Sequence, residues 1–274
     1  MTTDIKDLEH EDAVLFASTV RTPVAPMHGE PRIASQMISQ QVAGHRVDVL
    51  DEEGDWVRAR GEDGYEGWMH VGFLARTPQA TARGSSQTPR ISLGCITRTS
   101  SGDRRSLPFR AVLAPDEAVQ SGETIDSTKL AERFPLEPLA VIRTARDYFS
   151  ATSYLWGGVT PWGADCSGLV QTTFWLHGIQ LRRDAWQQAE QGVPGEAQLL
   201  DSRTGDLLFF SDRVDGHITH VAIALGNQGL VHLALGRGGY AVENLADEHD
   251  PYVAKLHERF VKARRVLGPA LIGD

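Results

Sequence analysis

The residue pattern changes past Pro138, and that change restricts the fold more than any other feature. AVIRTARDYF places Val141, Ile142, Ala145 and Phe149 at helical spacing. CSGLVQTTFWLHG continues with Leu169, Val170, Thr173, Phe174 and His177, and Gly178 supplies a stop. GDLLFF, HVAIALG and GLVHLAL then read as three consecutive strands. Helices first and strands after is the order of an α+β domain, and it occupies residues 137–274.

The preceding residues carry a different signature. Residues 1–19 form an acidic lead-in with room for one helix. From Val20 to about Leu74, short β-type runs built on Val47, Val49, Trp56, Val57, Tyr65 and Trp68 are broken by Gly44, Gly54, Gly61, Gly64 and Gly67. Strands this short, with turns this frequent, predict a small β-barrel, which with the lead-in fills residues 1–80. ARTPQATARGSSQTPR, 75–90, reads as a linker. ISLGCIT and LPFRAVLA give a second short β segment within 81–136, either a second small barrel, whose core would be marginal at this length, or an extension of the first. The expected chain is therefore multidomain, with β-barrel modules followed by an α+β domain.

Composition removes several functions. A net charge of −9, with no basic run, is unsuited to gripping nucleic-acid phosphates. No apolar run reaches membrane-spanning length. The N-terminal stretch MTTDIKDLEHEDAVLF lacks the basic and apolar regions of a secretion signal, so the expectation is a cytoplasmic protein with no nucleic-acid or membrane partner.

The chain has only two cysteines, so no disulfide framework is available. Cys95, in ISLGCITRT, reads as a buried structural thiol. Cys166, in GADCSGLV, stands where a helix should begin. There, unpaired N–H groups and the helix dipole favour an anion, lower a thiol pKa and suit a nucleophile. Gly163 and Gly168 would allow a tight turn and a close substrate. A packed helix-start cysteine is the competing reading.

A cysteine nucleophile needs a base and something to orient it. Of ten histidines, His10, His28, His45, His70, His177, His249 and His257 are expected at the surface, and His217 in a solvated loop. His220 and His232 differ because each sits in an apolar strand. Side chains alternate along strands, so the two share a face only if their hairpin has an odd loop or a bulge. A three-residue loop at Gly226–Gln228 would set His232 opposite Ala222 and diagonal to His220. Ala222 and Ala224 would then pack against the Cys166 helix or leave room for a ligand. A Cys/His/His set is also a weak zinc signature, lacking CxxC and HxH; no metal or organic cofactor is expected.

YLWGG (154–158), TPWG (160–163), DCSG (165–168), GIQLRRD (178–184), GDLLFF (205–210), HVAIALG (220–226) and VHL (231–233) occur in order. Together they resemble the NlpC-type papain-like cysteine peptidases of bacterial cell walls, over about residues 138–267. With bacterial SH3-type barrels ahead of it, the chain is similar to the γ-D-glutamyl-L-diamino acid endopeptidases of murein peptide recycling. The resemblance implies Cys166 as nucleophile, His220 as general base and then acid, and His232 as its orienting partner. It places Tyr154 near the nucleophile and the oxyanion site. It sets Trp156, Asp165, Ser167, Arg183 and Asp184 along the bound peptide. Glu30 in HGEPR and Tyr65 in DGYEGW would face the peptide's free amine, as an ammonium requires acceptors. Arg182 stands where proline usually precedes the RD pair, and Trp162 replaces a smaller aromatic.

The implied reaction is acyl transfer on free murein peptides with an unblocked L-Ala, of the L-Ala-γ-D-Glu-diamino acid class. Two alternatives stand: a non-catalytic murein-peptide binder, disfavoured by the intact Cys166, His220 and His232, and a cysteine amidase or transpeptidase, disfavoured by Glu30 and Tyr65.

Overall fold

The computed structural model describes residues 13–76, 88–247 and 249–268. Seven short strands come first: β1 (Phe16–Val20), β2 (Val24–His28), β3 (Met37–Val42), β4 (Arg46–Glu53), β5 (Trp56–Gly61), β6 (Glu66–His70) and β7 (Leu74–Arg76). They pair antiparallel in the order β3-β2-β6-β5-β4-β1-β7. Ile38 from one end of that order and Leu74 from the other join a single core with Met27, Val47, Val57 and Met69. The sheet therefore curls on itself around one apolar interior, which removes most exposed edge. β1 begins at Phe16, inside the segment read as lead-in; residues 1–12 and most of the linker lie outside the described residues.

The second β segment is a three-stranded sheet of β8 (Arg90–Arg98), β9 (Arg104–Leu107) and β10 (Ala118–Asp126), with β8 central. It shares a core with the barrel: Cys95, Leu107, Ala111 and Leu113 pack on Val42 and Ala43. Gly44, at φ +78°, lets the two backbones touch, since a Cβ there would overlap Val112. Cys95 is buried, its thiol 3.3 Å from Ser92 Oγ.

The C-terminal domain adds α1 (Leu130–Arg133), α2 (Pro138–Phe149), β11 (Val159–Thr160), β12 (Gly163–Ala164), α3 (Cys166–Leu176), α4 (Ala185–Gln188), β13 (Val193–Pro194), β14 (Leu207–Phe210), β15 (His220–Gly226), β16 (Gly229–Ala234), β17 (Gly239–Asn244), α5 (Pro251–Arg259) and β18 (Phe260–Arg265). Six strands form one sheet, β13-β18-β14-β15-β16-β17. On one face Val141 and Phe149 of α2 and Leu169 and Phe174 of α3 meet Leu207, Phe209, Val221, Ile223 and Leu233. On the other, Val253 and Leu256 of α5 meet Leu208, Phe210, Ala222, Ala224 and Leu230. Ala222 and Ala224 thus pack beneath α5 and not against the Cys166 helix. α3 is buried nearly all round, because the second sheet covers the side that α2 and the main sheet leave open, through Leu93 and Phe109 on Leu176.

Three histidines expected at the surface are buried. His28 is held edge-on to Trp56. His45 sits where barrel and second sheet meet, with Nε2 3.0 Å from the Arg110 carbonyl. His177, just past α3, contacts Thr144 Oγ1 and the Pro135 carbonyl. Polar flanking residues misled the reading in each case: His28 is covered inside the barrel, and His45 by contact with the second sheet.

Candidate active site

Cys166 is the first residue of α3 and only 7% exposed. Asp165 caps the helix: its Oδ1 accepts the Gly168 N–H at 2.7 Å, and its Oδ2 accepts the Gly157 N–H at 2.8 Å. Gly168 serves packing rather than substrate approach, since a Cβ there would collide with the Gly158 carbonyl oxygen. Gly163 likewise abuts the Leu155 side chain.

Arg183 locks this turn from beneath. Nη1 and Nη2 donate to the two Asp165 oxygens at 3.0 and 2.7 Å, and Nη1 also to Ser167 Oγ at 2.8 Å. Nε reaches Ser39 Oγ on β3 of the barrel at 3.0 Å. Arg183 is buried and does not line the cleft. The expectation that Arg183 borders the peptide is corrected: its donors are taken by the protein, and they tie the barrel to the turn that carries Cys166. Arg182 is exposed, and its N–H donates to Gln191 Oε1 at 2.7 Å, a bond proline would lack.

Burial pushes the Cys166 thiol up to about 12, and Asp165 adds to the rise. The backbone N–H groups of Val221 and Ser167 oppose it without prevailing. The helix start alone therefore does not yield a resting thiolate, contrary to the sequence expectation. Burial also drives His220 well below the ordinary imidazole range, followed by the influence of His232 and Arg259. Both shifts favour the uncharged forms, a thiol and a neutral imidazole.

The histidines share a face. Ile223 pairs with Val231 and Ala224 with Leu230, which puts Ala222 level with His232 and His220 one diagonal step away. The loop is shorter than expected: Asn227 and Gln228, at φ +48° and +60°, form a two-residue turn. The odd count comes from Leu225, skipped between the Ala224 and Gly226 pairings as a bulge. His220 Nε2 lies 2.9 Å from His232 Nδ1, with the rings edge to face.

Cys166 and His220 open onto a cleft of about 950 Å³. Tyr154, Trp156, Asp165, Ser167 and Asp184 line it, as the sequence reading expects, and the barrel contributes Tyr65, Gln36 and Ile38. Burial, and then the neighbouring Cys166, keep the Tyr154 phenol protonated. Tyr65 donates its hydroxyl toward both Asp184 oxygens at 3.2 Å. Burial pushes the Asp184 carboxyl above its usual range. Glu30 is not brought in: it is exposed, pairs with Arg32 at 2.6 Å and lines no part of the cleft. His232 is fully buried behind His220.

Sequence reasoning missed many of the lining residues, among them four with side chains that carry charge or hydrogen bonds. His217, exposed as expected, nonetheless faces the cleft beside Trp186, with ring centroids 6.0 Å apart. Tyr252, Lys255 and Arg259 arrive on α5. Asp250 followed by Pro251 is a legible helix start for that element; nothing local points to His217.

A model of the NlpC/P60 family matches residues 151–262, and one of the bacterial SH3 domain matches residues 23–75. The gamma-D-glutamyl-L-lysine dipeptidyl-peptidase of Bacillus subtilis strain 168 is 32% identical over 216 residues, covering 71% of each chain. Dipeptidyl-peptidase 6 of Lysinibacillus sphaericus is 30% identical over 258 residues, 84% of this chain and 92% of that one. The crystal structure of an NlpC/P60 family protein from Bacillus cereus ATCC 10987 superposes with a TM-score of 0.76 at 20% identity, over 92% of this chain and all of that one.

Proposed function

The chain belongs to the NlpC/P60 family of cysteine peptidases, and on that premise we propose that it hydrolyses the γ-D-glutamyl–L-diamino acid bond of free murein peptides whose N-terminal L-Ala is unblocked. Two relatives, 27% and 32% identical, carry the name gamma-D-glutamyl-L-lysine dipeptidyl-peptidase. The observation that carries the reading is the hydrogen bond between Tyr65 of the barrel and Asp184, in the cleft that holds Cys166.

Arg183 and Asp165 neutralise each other. Asp184 is left as a half-buried carboxylate paired with a phenol, and such a group gains from a cation. A peptide ammonium docked there would supply it, with Tyr65 swinging its oxygen to accept. A lactyl or acetyl cap on L-Ala would remove the charge and collide with the barrel wall. This is how an SH3-type module would confine a wall hydrolase to small peptides. α5 offers charge of the opposite sign, Lys255 and Arg259, for the carboxylates of the third residue.

In the reaction Cys166 Sγ attacks the γ-carbonyl carbon while its proton passes to His220. The oxyanion meets the N–H of Cys166 at the helix start, where Gly168 N–H is already engaged by Asp165. Tyr154 stands beside it as a protonated donor. His220 returns the proton to the departing amine as the C–N bond breaks, and a thioester remains. Water, deprotonated by His220, adds to the thioester and the thiol leaves with the proton. Products are L-Ala-D-Glu and the rest of the peptide. Recovery of these in the cytoplasm belongs to the same reading and is checked by fractionation.

The test incubates the purified chain with L-Ala-γ-D-Glu-meso-diaminopimelate, its lysine analogue and their N-acetylated forms, with products read by mass spectrometry. Cleavage of free peptides only, abolished in Cys166→Ala, supports the reading. Equal cleavage of acetylated peptides removes the amine gate; cleavage of none by the folded protein removes the activity.

A further inference from the structure

The polar chain does not end at His232. His232 is wholly buried and both ring nitrogens have partners: Nδ1 lies 2.9 Å from His220 Nε2, and Nε2 lies 3.3 Å from Glu243 Oε1. Glu243 sits on β17, where Ala241 is level with His232, so it stands one diagonal step beyond. His220, His232 and Glu243 thus cross three neighbouring strands in a diagonal line on one face. Arg237 clamps the carboxylate with two bonds of 2.8 Å, and its Nη2 continues to Asp250 Oδ2 at 2.6 Å. The guanidinium lies 4.4 Å over the Tyr252 ring, and that ring meets His232 edge-on at 5.9 Å. Four segments of chain converge to hold one carboxylate against one imidazole.

We propose that Glu243 is a positioning residue that sets the tautomer of His232, and through it leaves the free lone pair of His220 on Nδ1. The inference rests on the roles given above to Cys166, His220 and His232.

A neutral imidazole has one donor and one acceptor nitrogen, and a carboxylate only accepts. Burial disfavours the charge on Glu243, but hydrogen bonds from His232 and Arg237 hold its carboxyl at about 2, so it is ionised at neutral pH. His232 must then place its proton on Nε2, facing Glu243. Its Nδ1 becomes an acceptor, which fixes the His220 proton on Nε2. His220 Nδ1 is left as the one basic nitrogen, able to take the Cys166 proton. The opposite tautomer would set a lone pair of His232 against the carboxylate. It would also place a proton on His220 Nδ1, and His220 could then no longer act as base. Histidine in the orienting position carries this ambiguity because its ring has two exchangeable ends; Glu243 removes it. Arg237 prevents the carboxylate from rotating away.

The test uses the full chain labelled with ¹⁵N-histidine, read by long-range ¹H–¹⁵N correlation without substrate. Expected are protonated Nε2 and bare Nδ1 for both His220 and His232. Glu243→Gln preserves shape but offers an amide N–H to Nε2. It is expected to shift His232 toward the Nδ1–H form and to lower kcat about 10–100-fold with KM unchanged, as when the outer partner of a working histidine is lost. Arg237→Lys, which keeps a cation on Glu243, is expected to retain the wild-type tautomers and most of kcat. A wild-type spectrum with His232 protonated on Nδ1 overturns the proposal. So does Glu243→Gln with wild-type tautomers, whether kcat holds or falls with the melting temperature. Because the spectrum needs no substrate, a wild-type chain inactive on every peptide would count against the proposed function alone.

Discussion

Arg183 is a substrate contact or a structural tie, and a mutant cycle with Asp165 separates the two. The pair is 1% and 8% exposed in its side chains, with Nη2 to Oδ2 at 2.7 Å. Removing one partner of such a pair costs about 3–5 kcal/mol, because the other charge stays buried. In Arg183→Met the Asp165 carboxylate keeps the Gly157 and Gly168 N–H groups and the Ser167 hydroxyl, which places the loss near 3 kcal/mol. Asp165→Asn strands the guanidinium with Ser39, Ser167 and the Gly158 carbonyl, a loss of about the same size. The double variant has no charge left to strand, so its loss is about 3–4 kcal/mol rather than the sum, a coupling of about 2–3 kcal/mol. Arg183→Lys keeps the charge but not the fork that engages both Asp165 oxygens, and recovers only part. Urea unfolding of the four chains, followed by tryptophan fluorescence, gives the numbers. Additivity within about 0.5 kcal/mol would refute the coupling. A variant with unchanged midpoint and raised KM would return Arg183 to the substrate.

Three further outcomes follow from burial. With Cys166 at about 12 rather than 9.0, its thiolate at pH 7 is about 1,000-fold rarer than that of an ordinary cysteine. Iodoacetamide labelling of that peptide, measured by mass spectrometry, should be slow by that factor and rise about tenfold per pH unit; a plateau below pH 7 would mean a resting ion pair with His220. His45 is held at about 4 against 6.5, first by burial and then by Arg110. The unfolded chain therefore takes up a proton that the folded chain refuses, and stability falls as pH drops from 6.5 toward 4, by about 2 kcal/mol between pH 7 and pH 4.5. His45→Gln should lose that slope in urea midpoints, and an unchanged slope would sink the assignment. Gly168→Ala drives a methyl into the Gly158 carbonyl and should cost about 2–3 kcal/mol; Gly54→Ala, at φ +59° with open space around it, should cost about 1 kcal/mol. Equal thermal melts for the two would remove the packing account of Gly168.

What the sequence reveals here is what neighbouring residues decide. The glycine-broken strands, the helix from Cys166 to its stop at Gly178 and the three strands after it depend on local pattern, and they stand where the pattern puts them. The histidine pair was a conditional statement, and the condition was met by an unforeseen route: alternation required an odd count, and Leu225 supplied it by bulging while the turn kept two residues. Glu30 and Asp184 show the limit. Both are acidic residues beside loops, and no spacing rule says which one faces the cleft. The choice is made by how β3 and the β5–β6 turn dock on the α+β domain: Ser39 on Arg183, Gln40 on Val159, Asp63 on Gln171 and Tyr65 on Asp184. Three of those four contacts use hydrogen-bonding side chains on strands or turns that, read alone, pass for solvated surface. Glu243 escapes notice for the same reason, since in GYAVEN it looks like the polar step of an alternating strand, and only the diagonal from β16 to β17 turns that step toward a buried imidazole.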